Sequence, residues 1–141
     1  MILDKTAIWG SWVQLWNGDL AIADTLISPQ FSTHFAPMFA NQAAITGPDG
    51  IKQMIQMTAA FKDHEFITEV GPIADGDMIT GRWTFKGVYM GGIPGASAGA
   101  VGKQIHYNGI DILRVVDEQI VEYWLCSDTL SMLQQIGVIP S

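Results

Sequence analysis

The chain has 141 residues, is 48% hydrophobic and 15% charged, and carries a formal charge of −7 from 7 basic and 14 acidic residues. This length fits a single domain with a substantial core. The basic residues are scattered, so no face suits nucleic acid or an anionic membrane surface. No apolar run approaches the roughly 18 residues of a membrane span. The first residues lack a leader pattern, and the lone Cys126 leaves no intrachain disulfide, so the expected compartment is the cytoplasm.

Trp9, Trp12, Val13, Trp16 and Leu20 recur at helical spacing and predict an amphipathic first helix whose tryptophans pack into the core. Asp19 is placed to cap a second helix running to about Ile27, which Ser28-Pro29 would end. The stretch 31–46 reads as irregular, with His34 among aromatic residues. Gly47-Pro48-Asp49 is a helix start, and Ile51, Met54, Ile55, Thr58 and Phe61 mark the buried stripe that follows.

The period then changes to that of strands. Residues 64–70 read as one strand and Met78–Tyr89 as a second, with Ile79, Gly81, Trp83 and Phe85 on one face. Residues 90–102, MGGIPGASAGAVG, are too small to pack and read as a loop suited to closing over a pocket. Residues 103–116 and 119–126 form a hairpin turned at Asp117-Glu118. Asp128 or Ser127 then caps a terminal helix that Gly137 stops. Helices first and antiparallel strands afterwards give an α+β domain, with three helices across the hollow of a curved sheet and a cone-shaped pocket between them.

Several pieces of the chain carry a resemblance: WNGDL at 16–20, the phrase around His34, TGPDGI at 46–51, FKD at 61–63, DGDMITGRW at 75–83, and GK, GIDILRVVDEQIVEYW and LQQIG within 102–137. Taken in order they resemble the SnoaL-like polyketide cyclases of the nuclear transport factor 2-like superfamily. The resemblance implies the cone-shaped α+β fold and a cofactor-independent, metal-free reaction by intramolecular aldol condensation. Its cyclases use an aspartate near the end of the last strand, helped by a histidine on the preceding strand. In this sequence the histidine position falls on Asp111 and the aspartate position on Leu125, so both depart from the pattern.

Asp111 interrupts the apolar run Ile110-Asp111-Ile112-Leu113. A carboxylate there must be hydrogen-bonded, paired or facing a cavity, because a bare buried charge is costly. Apolar walls raise a carboxyl pKa toward neutrality, which suits acid/base work. Asp111 is therefore the expected catalytic group, and His34, which the resemblance sets in a loop at the pocket mouth, is the second catalytic candidate. Trp83, Tyr107, Tyr123 and Trp124 are the expected substrate-binding aromatics. In a simple two-residue hairpin Trp124 shares the face of Asp111 and Tyr123 points away; a β-bulge would exchange them. His64 is expected in solvent and His106 on the opposite sheet face. No His/Cys cluster has metal-ligand spacing.

The expected function is a cyclase, isomerase or lyase acting on a small apolar carbonyl compound by proton transfer. A non-catalytic module binding such a molecule is the alternative. Apolar residues on the second sheet face, Ile110, Ile112, Val116 and Val121, predict a homodimer.

Overall fold

The computed structural model describes residues 4–35 and 45–141. Helix α1 spans Lys5–Trp16, capped by Asp4, whose carboxylate accepts from the Ala7 N–H at 3.2 Å. Its buried residues Ile8, Trp9, Trp12, Leu15 and Trp16 repeat at helical spacing and turn toward the sheet. The expected second helix is shorter than the sequence suggests. A 3₁₀ turn covers Leu20–Ile22, α2 is only Ala23–Leu26, and Asp19 makes no side-chain cap.

Strand β1, Ile27–Thr33, follows where irregular chain was expected. It runs parallel to β5, pairing Ile27 with Ile120 and Thr33 with Tyr123. The register jumps between Ile27 and Ser32, across Pro29, which has no N–H to donate. Ile27 and Phe31 are buried, so a long-range pairing overrides the local turn signals. Residues 36–44 of the stretch read as irregular lie outside the described residues.

Helix α3, Gly47–Ile55, starts with proline in its first turn and continues as a 3₁₀ turn over Gln56–Ala60. Strand β2, Phe61–Asp75, is longer than predicted and meets β3, Met78–Tyr89, with register shifts that bend it. Strands β4, Gln104–Val116, and β5, Gln119–Ser127, complete an open, curled five-stranded sheet ordered β1-β5-β4-β3-β2. Helix α4, Thr129–Gln135, is capped by Asp128, which accepts from the Ser131 N–H. This is the α+β cone expected from the sequence.

Residues 90–102 do pack. Ala100 is buried, the Ser97 N–H donates to the Ile136 carbonyl at 2.8 Å, and the Ile93 N–H donates to the Tyr89 hydroxyl at 3.0 Å. The segment thus leans on the end of α4, and none of its residues lines the cavity described below.

Two glycines admit the large rings of the core. Gly109 lies opposite Trp83 in the β3–β4 ladder, and a Cβ there would fall inside the Trp83 indole. A Cβ at Gly81 would stand 2.5 Å from Trp9 Cζ2. Both indoles therefore lie flat across bare backbone.

Candidate active site

Inner-face residues of β4 alternate from Ile105 through Tyr107, Gly109, Asp111 and Leu113 to Val115. This parity puts Asp111 on the hollow side, where it is 3% exposed. Opposite it, β5 carries a bulge. The turn residues Asp117 and Glu118 both have positive φ, 51° and 63°, as a twisted two-residue hairpin requires. Val115 pairs with Ile120, but Arg114 pairs with Glu122, so Val121 is an extra residue. From there on, Tyr123, Leu125 and Ser127 face inward and Trp124 faces outward.

The consequence is a cavity of about 410 Å³ between the sheet, α1, α3 and α4. That volume suits a small molecule. Its floor holds Asp111, and its walls are mostly apolar: Trp9, Trp12, Trp16, Phe66, Trp83, Phe85, Tyr107 and Leu125 among others.

Asp111 is held by two donors. The Trp12 indole N–H reaches Oδ2 at 2.9 Å, and the Tyr123 hydroxyl donates to Oδ1 at 2.9 Å. Burial removes solvent from the carboxyl and pushes its pKa up to about 6, opposed by the Trp12 and Tyr123 donors and the nearby Trp83 ring N–H. Burial, and then the nearby Asp111 charge, hold Tyr107 and Tyr123 well above the ordinary tyrosine value, so both remain hydroxyl donors at neutral pH. The site thus offers one carboxylate that titrates near neutrality among groups that do not.

Of the residues singled out from sequence, Asp111, Trp83, Tyr107 and Tyr123 share this cavity. His34 and Trp124 do not line it. His34 donates its backbone N–H to the Tyr123 carbonyl, and its ring turns to the outer side. There it stacks on Trp124 at 4.9 Å and sets Nε2 2.7 Å from Glu122 Oε2. Arg114 binds Glu122 and Asp77 at 2.7 and 2.8 Å and lies over Trp124. His34 therefore belongs to an exposed polar cluster remote from Asp111's face, and its neighbour Phe35 lines the cavity instead.

His64 also differs from expectation. It is half-buried, with Nε2 3.0 Å from the Trp16 carbonyl and its ring stacked on Phe85. His106 is exposed on the outer face, as its parity requires.

Sequence reasoning assigned the α1 tryptophans to core alone. A usable signal was present: buried indole N–H groups need acceptors, and an aspartate in an apolar run needs donors. Trp12 and Asp111 answer each other across 99 residues.

The family model described as SnoaL-like polyketide cyclase matches residues 7–136. No curated protein matches the sequence. Among solved structures, TsrD from Streptomyces laurentii is 23% identical, covers 98% of this chain and 100% of its own, and superposes with a TM-score of 0.81. IdmH from Streptomyces antibioticus, proposed as a polyketide cyclase, is 23% identical over 96% of this chain and 99% of its own, with a TM-score of 0.79. A Bacillus cereus protein, also proposed as a polyketide cyclase, is 25% identical over 94% and 79%, with a TM-score of 0.76.

Proposed function

The chain belongs to the SnoaL-like polyketide cyclase family, and from that premise we propose that it is a cofactor-independent enzyme moving a proton on a small, largely apolar carbonyl compound, with Asp111 as acid/base. One observation carries the reading: a carboxyl with a pKa of about 6 on the floor of an apolar, ligand-sized cavity. A catalytic pKa near the working pH lets the same group take and return a proton.

The chemistry balances without a cofactor. The ionised Asp111 takes a proton from the carbon beside a carbonyl, and the C–H electron pair becomes an enolate. Returning the proton to another carbon gives an isomer. If the enolate carbon attacks a second carbonyl of the same molecule, a C–C bond closes a ring and the Asp111 proton passes to the new alkoxide. Tyr123 and Trp12 hold the carboxylate in place and lower the cost of its charge.

Proton exchange tests this without knowing the natural substrate. Incubated with 1-tetralone or butyrophenone in D₂O, the protein should accelerate α-deuteration, read by proton NMR. Exchange no faster than with an Asp111→Asn variant would sink the reading.

The rate should also rise with pH through about 6 and then level off. The base form is the ionised one, and neither tyrosine titrates near neutrality to impose a falling limb. Tyr123→Phe removes one donor to the carboxylate, so the midpoint should move upward. A rate that falls as pH rises through 6 would instead make Asp111 the required acid.

One observation favours the second reading, a non-catalytic binding module. Leu125, directly across the ladder from Asp111, puts a hydrocarbon where the family's cyclases carry an aspartate. Tight ketone binding with no exchange at any pH would support it.

We also propose a homodimer through the outer sheet face. Ile110, Ile112 and Val116 are exposed there, Val121 is partly so, and Ile67, Val70 and Ile73 of β2 are exposed on the same face beyond the polar row Thr80, Arg82 and Thr84 of β3. Exposed apolar residues gathered on one sheet face usually meet a partner. Light scattering at micromolar concentration should give twice the chain mass, and Ile112→Lys should halve it. A wild-type monomer refutes the dimer.

A further inference from the structure

The cavity combines one buried acid and aromatic walls with nothing positive. No lysine, arginine or histidine lines it among the described residues, and residues 1–3 and 36–44 contain none. Four of the seven basic side chains bind carboxylates elsewhere: Lys52 with Asp24, Arg82 with Glu69, Lys86 with Glu65, and Arg114 with Asp77 and Glu122. The Asp111 carboxylate is held by neutral groups instead, the Trp12 N–H on one oxygen and the Tyr123 hydroxyl on the other. Such donors satisfy hydrogen bonds but leave the charge itself without a counter-charge, which buried ions ordinarily have. Each carboxylate oxygen also keeps acceptor capacity beyond its one bond.

The walls favour the same sign of ligand. An aromatic face is the negative side of the ring quadrupole and attracts a cation, most strongly for tryptophan. Trp9, Trp12, Trp16 and Trp83 line the cavity together with Phe66 and Tyr107. Neighbouring rings are steeply inclined: Trp12 and Trp16 by 72°, Trp16 and Phe66 by 64°, Phe66 and Trp83 by 79°, Trp83 and Tyr107 by 77°. Rings so turned present faces in several directions instead of one stacking slot. An anionic ligand would meet a like charge with little water to screen it. A cationic ligand would meet a carboxylate and ring faces at once.

We propose that the cavity is a site for a hydrophobic organic cation, a tertiary or quaternary ammonium on an apolar body, with Asp111 as its counter-ion and the tryptophans as its cage. This goes beyond the proton-transfer reading and does not depend on it, since a counter-ion need not accept a proton. A quaternary ammonium seated there would occupy Asp111 and so inhibit α-proton exchange.

Three ligands of similar shape test it. Benzyltrimethylammonium is the cation, neopentylbenzene replaces its nitrogen by carbon, and benzylsulfonate carries the opposite charge. In titrations at pH 8 read by tryptophan fluorescence, the cation should bind at least about tenfold more tightly than the neutral ligand, and the anion should not bind. Cation affinity should fall as pH drops through about 6, where the carboxyl takes up a proton, while neopentylbenzene binds alike on both sides. The quaternary ammonium does not titrate, so the slope belongs to the protein. Around Asp111 stand Trp12 from α1, Trp83 from β3, Tyr123 and Leu125 from β5 and Tyr107 from its own strand; of these only the tyrosines titrate, and far above this range. His64 of β2 stacks on Phe85 outside the lining, and its protonation would also repel a cation. Two variants separate them. Asp111→Asn should remove both the cation's advantage and its pH dependence, with neopentylbenzene binding within about twofold of wild type. His64→Gln should keep both, and it decides the matter if the Asn variant fails to fold. Equal affinity for the cation and its neutral isostere, binding of the anion as tight as that of the cation, or a pH dependence that survives in Asp111→Asn or is lost in His64→Gln overturns the inference. Cation preference without proton exchange supports it and removes the acid/base; exchange without cation preference overturns it and leaves the acid/base intact.

Discussion

Replacing Asp111 by asparagine should cut α-proton exchange by roughly 10²–10⁴-fold, the usual worth of a positioned acid/base, and should leave the fold intact. The two halves of this expectation have separate causes. Asparagine cannot accept the proton, so turnover falls. Its amide still fits the donors around it: Oδ1 can accept from the Trp12 N–H, and Nδ2 can donate to the Tyr123 oxygen once that hydroxyl turns its proton away. Stability should move in the opposite direction to activity. A carboxyl whose pKa is raised from 3.8 to about 6 binds more protons folded than unfolded. Its contribution is present below the unfolded value and is lost as pH rises through the folded value, which amounts to about 3 kcal/mol across that window. At pH 7–8 the ionised carboxylate therefore opposes folding. The Asn variant should melt at the wild-type temperature or above it there, and lower relative to wild type at pH 4. A melting temperature that falls at pH 7 together with unchanged exchange would make Asp111 a structural group.

Gly109→Ala should produce the largest effect on the fold. The added Cβ would overlap the Trp83 indole, and neither can yield cheaply, because the ring is buried against Phe66 and Tyr107 and the glycine lies inside a ladder. Overpacking of this kind costs about 1–3 kcal/mol, which for a chain of this size lowers the melting temperature by about 3–10 °C. Ligand binding should weaken as well, since the ring that must shift lines the cavity with Asp111. Gly10→Ala is the control. Gly10 lies within α1, and a Cβ there would meet no atom within 4 Å, so alanine should stabilise by about 0.5–1 kcal/mol. Equal melting temperatures for the two variants would show that Trp83 does not need the bare backbone at Gly109.

The order of elements from α3 onward, the inward stripe of α1, the faces of β3 and β4, and the buried carboxylate at Asp111 were all legible from the residues alone. These are local properties. Period, proline and glycine placement, and an acid inside an apolar run all express themselves over a few residues, and burial then follows parity. What joins distant segments was settled only in three dimensions. Strand β1 exists because Ile27 and Phe31 gain a parallel neighbour in β5, which local turn residues cannot announce. The bulge at Val121 reversed the parity of β5, so Tyr123 rather than Trp124 reached Asp111, and the single inserted residue shows only in the pairing. Just past the end of β1, the chain carried His34 to the outer face and delivered Phe35 to the cavity. The α1 tryptophans read as core from their spacing. Folding then brought the Trp12 indole N–H onto Asp111, a meeting that the spacing alone cannot show. A period reports which side of an element is buried; which polar groups meet there depends on register, and register is set between strands rather than within them.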